Sequence, residues 1–221
     1  MPVFKKAPSA FGRRKWLGFS DSRAASALAK ARRAPGFSLA GYPVVDADAI
    51  SRSLTYPGGA AIPAIASEFG ADFITPEGAM NRAKMRELVF DDPKARERLE
   101  GVMRPLIRRA SLEALERARS LADAAGKAFA VFDCPLLCEW PEARTVVDRL
   151  LVIDLCEEEQ IQRVALRSSL TPERVRSIIR AQIPRQARLA QADDIIYNGG
   201  SLEDFRSALA ALLERYLARA D

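Results

Sequence analysis

Tyr42-Pro43-Val44-Val45-Asp46-Ala47-Asp48-Ala49-Ile50 joins a short apolar run to two carboxylates and then to a helical pattern. Tyr42 to Val45 is too short for a helix and carries aromatic and β-branched residues, so it predicts a buried strand. Phe129 to Phe132, Leu150 to Ile153 and Ile195 to Tyr197 read the same way. A polar residue follows each run: Asp46, Asp133, Asp154 and Asn198. Helical patterns lie between the runs. The alternation predicts an α/β fold, a parallel sheet flanked by helices on both faces. Ligands of such sheets gather at the carboxyl ends of the strands. The strand-end residues are therefore site candidates, although an aspartate there also caps the next helix.

Two excursions leave this core. Residues 60–126 are mostly helical, opened by Pro57-Gly58-Gly59 and closed by Ala125-Gly126. Leu112, Leu115, Ala118, Arg119 and Ala122 follow helical spacing, so one face there can pack. The length exceeds an ordinary crossover and predicts a helical subdomain. Residues 156–192 form the second excursion. Thr171-Pro172-Glu173 marks a helix start within it. Ser201-Leu202-Glu203-Asp204 marks the start of the last helix. The core is then 41–59, 127–155 and 193–221. Residues 1–40 are atypical, and Phe11 to Ala40 shows no apolar strand.

Composition narrows the function. Of the 221 residues, 48% are hydrophobic, which predicts a folded globular chain. No run approaches the ~20 apolar residues that span a bilayer. The formal net charge is +5, a mild preference for an anionic partner such as a phosphorylated metabolite. Histidine is absent, which excludes Ser-His-Asp and Cys-His catalysis. Cys134, Cys138 and Cys156 lack the partners of a zinc site or a disulfide framework, and predict reduced thiols in a cytoplasmic protein.

Three groups of residues can carry chemistry. Asp46 and Asp48 stand at alternate positions past a strand, where one can orient a metal ion or water and the other accept a hydroxyl proton. Arg163, Arg167, Arg174, Arg176, Arg180, Arg185 and Arg188 accumulate in the second excursion. Arg163 and Arg167 share a helix face. Guanidinium forks match phosphate oxygens, so an arginine-rich flap can close over a nucleotide. The cluster lacks interleaved aromatics, which argues against single-stranded nucleic acid. Phe132-Asp133-Cys134-Pro135-Leu136-Leu137-Cys138-Glu139 runs a strand into an Asp-x-Pro turn, with Asp133 a further candidate.

Together these segments resemble the dephospho-CoA kinase family. Val44-Val45-Asp46-Ala47-Asp48 is similar to its VVDAD segment. Asn81-Arg82-Ala83-Lys84-Met85-Arg86 with Val89-Phe90 resembles D-R-x-x-L-R…V-F. Arg104-Pro105-Leu106-Ile107-Arg108 resembles H-P-L-I-R, with arginine in place of histidine. Phe132-Asp133-x-Pro135-Leu136-Leu137-x-Glu139 resembles F-D-x-P-L-L-x-E. Ala181-Gln182, Arg185, Ala187-Arg188-Leu189 and Ala192-Asp193-Asp194-x-Ile196-x-Asn198-x-Gly200 resemble the passage from lid to core. The order is collinear from Val44 to Ser201.

The resemblance implies a P-loop kinase-like fold and ATP-dependent phosphorylation of the 3′-hydroxyl of dephospho-CoA, giving coenzyme A. ATP is then the co-substrate and Mg2+ accompanies it. Neither nucleic acid nor membrane is an expected partner, and oligomeric state is left open. Asp48 is the implied base, with Asp46 in support. Residues 60–126 would bind dephospho-CoA, with Arg82, Arg108 and Asp133 as contacts. Residues 156–192 would be the lid. Arg163, Arg167, Arg185 and Asn198 would hold the nucleotide.

The family's G-x-x-x-x-G-K-[ST] phosphate loop is not found in Met1 to Tyr42. Lys30 has near-family spacing to Asp48, but Leu28, Ala29 and Ala31 surround it where glycine would let phosphate approach the backbone. A local shift of reading frame would account for this, and resequencing the coding DNA tests it. The alternative reading is a catalytically impaired homologue that binds a CoA-like ligand without turnover.

Overall fold

The computed structural model describes residues 3–4, 16–20, 40–141, 143–168 and 170–218. The chain forms two compact units, residues 1–45 with 117–221 and residues 46–116.

The first unit is built on a six-stranded sheet. Its strands are β1 (Val3–Phe4), β2 (Trp16–Ser20), β3 (Val44–Asp46), β4 (Ala130–Asp133), β5 (Arg149–Asp154) and β6 (Asp194–Tyr197), in the spatial order β1-β6-β5-β2-β4-β3. β2 runs parallel to both β4 and β5, and β5 parallel to β6. β1 is antiparallel on the β6 edge. The expected parallel α/β sheet is present, and all four strands read from the sequence belong to it.

One expectation is overturned. The sequence of residues 11–40 predicts no strand, yet Trp16-Leu17-Gly18-Phe19-Ser20 forms β2, buried throughout, with strands on both sides. Leu17 and Phe19 enter the main core with Phe129, Val131, Leu151, Ile153 and Ile196. Between them Gly18 has no side chain to spare. A Cβ there would lie 2.5 Å from Leu137 Cδ2 and 2.8 Å from Val147 Cγ1. Glycine lets those two side chains pack directly on the strand, which explains a residue otherwise unfavourable in a strand interior.

Helices cover the sheet. α9 (Leu202–Leu217) lays Phe205, Leu209, Leu212 and Tyr216 into the main core. Its start carries the capping box expected at Ser201, closed reciprocally by Asp204. α6 (Glu157–Ser168) and α7 (Pro172–Arg180) share a small core of their own, Ile161, Val164 and Val175, flanked by Leu170 and Ile179. Thr171 caps α7 ahead of Pro172, as its sequence predicts. α8 (Arg185–Gln191) leads into β6, and α5 (Ala143–Val146) precedes β5.

The second unit is helical. It contains α1 (Ala47–Leu54), α2 (Ile62–Phe69), α3 (Arg82–Asp91) and the first part of α4 (Pro93–Ala124). Leu54, Ala61, Ile65 and Met85 form its core. Asn81 caps α3 by accepting from Lys84 N at 3.1 Å. α4 continues through Pro105, which removes one N–H from the helical ladder. Its packed stripe is Leu115, Ala118 and Ala122, part of the row expected from spacing.

Candidate active site

Parallel pairing brings the carboxyl ends of β2, β4, β5 and β6 to one edge of the sheet. The register sets Phe19 opposite Asp133, Ser20 opposite Val152, and Asp154 opposite Tyr197. Ser20, Asp133, Asp154 and Asn198 therefore lie along that edge. The Ser20 hydroxyl donates to Pro135 O at 2.9 Å, tying the end of β2 to the turn after β4. Asp133 is buried on the last residue of β4.

Asp154 anchors the cationic side of this edge. Its two carboxylate oxygens accept Arg185 Nε at 2.8 Å and Nη2 at 2.5 Å, a fork-on-fork pair. The hydrogen bonds to Asp154 push the Arg185 pKa above its ordinary value. Arg185 uses two of five N–H donors here, and its side chain is 47% exposed. The Asp154 carbonyl also accepts the Asn198 backbone N–H at 2.8 Å.

Arg163, on α6, donates from Nη1 to the Asn198 carbonyl at 2.8 Å. Its Nη2 stands 3.9 Å from Glu159 Oε1. Glu159 Oε2 accepts the Tyr197 hydroxyl and the Cys156 thiol, the latter at 3.1 Å. The Tyr197 hydrogen bond is the main cause holding the Glu159 carboxyl below its usual range. The same bond pushes the Tyr197 phenol up to about 12. Arg167 lies on α6 as well, but its side chain is outside the described residues. So are residues 21–39, which include Lys30.

The turn after β4 is tied to the segment around α8. Ile183 N donates to Glu139 Oε1 at 3.4 Å, and Gln191 Nε2 to Cys138 O at 3.0 Å. Two motifs distant in sequence thus meet in space, Cys138 and Gln191 being 53 residues apart.

The second unit holds the other candidates. Asp46 is the last residue of β3 and the N-cap of α1, accepting Ala49 N at 3.0 Å. Arg52 Nη2 is 3.9 Å from its other oxygen. Asp48 falls in the first turn of α1. Of the two carboxylates, Asp46 is a strand residue and Asp48 a helix residue. The helix begins between them because Asp46 caps it. Arg82 donates from Nη2 to Thr55 Oγ1 at 2.6 Å and to Arg52 O at 3.2 Å, with its guanidinium 5.5 Å from the Tyr56 ring centre. Arg108 is exposed on α4. Arg104, one turn earlier, pairs with Glu100 at 2.5 Å.

The sequence profile of the family described as dephospho-CoA kinase matches residues 26–204. The chain belongs to the dephospho-CoA kinase family. It is 45% identical to the dephospho-CoA kinase of Burkholderia pseudomallei over 182 residues, 82% of this chain and 86% of that protein. It is 43% identical to that of Bordetella pertussis over 206 residues, 92% and 89%. A crystal structure from Thermus thermophilus superposes with a TM-score of 0.68 at 28% identity, covering 95% of this chain and 98% of that one. The dephospho-CoA kinase of Campylobacter jejuni shares the fold with a TM-score of 0.65 at 23% identity, covering 90% and 96%.

The family match starts at residue 26, before the Val44 from which the sequence motifs are legible. Sequence reasoning put Asp133 and Asn198 at strand ends, where the structure has them; it put Arg163 and Arg185 only in the second excursion, and the structure sets them against Asn198 and Asp154. Sequence reasoning missed Ser20, Glu159 and Tyr197. Ser20 belongs to the overlooked strand. Glu159 reads as one of three acids that complement the α6 dipole. Tyr197 reads only as the last apolar residue of a strand.

Proposed function

We propose that this chain transfers the γ-phosphoryl group of ATP to the 3′-hydroxyl of dephospho-CoA, producing coenzyme A and ADP. The observation that carries the reading is the family match across residues 26–204. The arginine-lined carboxyl edge supports it, because phosphoryl transfer asks the protein mainly for positioning and charge neutralisation.

Asp48 is the base that receives the hydroxyl proton. Asp46 is already committed to the α1 N-cap, and it fixes the turn on which Asp48 stands. Residues 60–126 are the dephospho-CoA-binding part, most of it in the compact unit of residues 46–116. Arg82 and Arg108 there meet the anionic groups of the substrate, with Asp133 as a further contact. Residues 156–192 are the lid, and the separate core of α6 and α7 suits a part that moves as one piece. Arg163, Arg167 and Arg185 neutralise the ATP phosphates, and Asn198 lies near adenine. Without a Gly-Lys pair in residues 1–42, these arginines bear more of the phosphate charge.

Mg2+ belongs to the proposal as a passenger on ATP. Among the described residues no group of three or more His, Cys, Asp and Glu is placed to hold a metal. That suits an ion bound through phosphate oxygens and water rather than a protein cage. Asp46 would orient a water of such an ion, whose chemistry is to offset developing phosphate charge. No helix among the described residues is long and apolar enough to cross a membrane. We place the enzyme in the cytoplasm, and nucleic acid is not among its partners.

A coupled ADP-release assay tests the reaction. Release that depends on dephospho-CoA is expected. Dephospho-CoA binding without release would instead establish the impaired homologue. Asp48→Asn should slow turnover by about 10²-fold or more; unchanged turnover would remove Asp48 from the base role.

A further inference from the structure

Tyr197 is half-exposed, yet its hydroxyl is spent on one carboxylate oxygen. Its ring is packed against Gly199, where a Cβ would lie 2.2 Å from Tyr197 Cε1. The ring has its place because residue 199 lacks a side chain. The hydroxyl is thereby held on Glu159 Oε2, beside the Cys156 thiol. Glu159 and Arg163 are four apart on α6, a spacing that ordinarily closes into an ion pair. Here the nearest approach is 3.9 Å, outside hydrogen-bond reach, and Arg163 instead donates to the Asn198 carbonyl.

We infer that Tyr197 is a positioning residue for nucleotide binding: it occupies Glu159 so that Glu159 does not sequester Arg163. Two donors on Oε2 orient the carboxylate and satisfy it where it stands. Arg163 is left braced on a neutral carbonyl, with donors to offer a phosphate. If the hydroxyl is removed, Glu159 loses an oriented partner and turns to the cation one helical turn away. ATP must then break that pair to reach Arg163. The inference rests on the proposal that ATP binds at this edge.

The test is a two-step variant series read by ATP affinity and by kinetics. Tyr197→Phe keeps the ring against Gly199 and removes only the hydroxyl. It should raise the Kd for ATP, and KM for ATP, roughly 3- to 10-fold. KM for dephospho-CoA should hold, and kcat should change less than KM for ATP. Glu159→Gln added to Tyr197→Phe should restore ATP affinity, because an amide does not compete for Arg163 as a carboxylate does. A packing role for Tyr197 gives no such rescue. Unchanged ATP affinity in Tyr197→Phe, or no recovery in the double variant, overturns the inference. Calorimetry with ATP alone keeps the two claims apart. ATP binding without dephospho-CoA turnover would sink the kinase reading and still decide the role of Tyr197. Wild-type protein that does not bind ATP would sink both.

Discussion

An arginine–aspartate pair stands at each end of β5, and the two pairs differ in exposure. At the carboxyl end, Arg185 and Asp154 form a fork in which the arginine is 47% exposed and the aspartate 6%. At the amino end, Arg149 Nη2 meets Asp194 Oδ2 at 2.7 Å with exposures of 4% and 3%. The buried pair is completed from within. Tyr216 donates its hydroxyl to the same Asp194 oxygen at 2.5 Å, and the Arg149 guanidinium lies 5.2 Å from the Tyr216 ring centre. Burial opposes the Arg149 charge, but the hydrogen bond to Asp194, together with Tyr216 and the Asp194 charge, outweighs it and raises its pKa. A closed, desolvated cluster can hold β5, β6 and α9 in register but has no access to a substrate. The half-open pair keeps donors at the edge where ligands of parallel sheets bind. On the proposed function, chemistry of one kind becomes scaffold or site according to exposure.

The largest expected effect comes from breaking the buried pair. Arg149→Ala leaves Asp194 charged in the interior and should cost about 3–5 kcal/mol of folding stability. Urea unfolding monitored by circular dichroism measures it. A loss near that of a surface pair would mean that water reaches the cluster and that the contrast is false. The next effect sharpens the same cluster through pH. Burial, and then the Asp194 charge, raise the Tyr216 phenol well above its ordinary value. A raised folded-state pKa stabilises fully below the unfolded value near 10 and is lost as pH climbs through the folded value. Above pH ~10 the unfolded chain releases this proton and the folded chain keeps it. Stability should then fall by about 1.4 kcal/mol per pH unit on account of Tyr216 alone. Tyr216→Phe should lower stability at pH 7 by about 1.5–3 kcal/mol, the scale of a hydrogen bond to a charged group. It should also flatten the alkaline decline by that slope. Parallel alkaline curves for the two proteins would show that Tyr216 ionises normally.

At the open end the effect should move from stability to binding. Arg185→Ala removes a half-exposed arginine but leaves the 6%-exposed Asp154 without that partner, so stability should fall, though by less than in Arg149→Ala. KM for ATP should rise by about 10-fold, the usual scale of a lost charge-assisted contact. A large stability loss with unchanged KM would make this pair a second scaffold cluster and erase the contrast.

The sequence disclosed one of these pairs only in halves. Arg185 and Asp154 are 31 residues apart, and Arg149 and Asp194 are 45 apart. No local spacing links them; the pairing of β5 with β6 brings Arg149 to Asp194, and the start of α8 brings Arg185 to Asp154. The strands themselves were legible where β-branched and aromatic runs stood between helical patterns, as at Val131 and Ile195. β2 was not. Its central Gly18 reads as a loop residue, and Arg13-Arg14-Lys15 precedes it. What makes it a strand is tertiary, namely β4 and β5 on either side and Leu137 and Val147 packed on the glycine. Helix starts at Thr171 and Ser201 were legible because capping is local. Asp46 was open to reading as a helix cap as well as a site residue, and it is the cap; what the motif alone does not say is that the helix already holds Asp48 in its first turn.

The smallest effect is the most discriminating, because it separates distance from burial. Arg104 and Glu100 on α4 approach to 2.5 Å, as close as Arg185 and Asp154 and closer than Arg149 and Asp194. If separation set the energy, this pair would be among the strongest in the protein. Its arginine is 74% exposed, however, and Glu100 also faces Arg96 at 3.0 Å, so another cation remains when Arg104 is removed. Water screens such a pair, and ordering two long side chains costs entropy. Arg104→Ala should therefore change stability by no more than about 0.5 kcal/mol in urea unfolding. A loss approaching that of Arg149→Ala would mean that geometry outweighs solvent exposure in this fold, and the distinction between scaffold pair and site pair would need another basis.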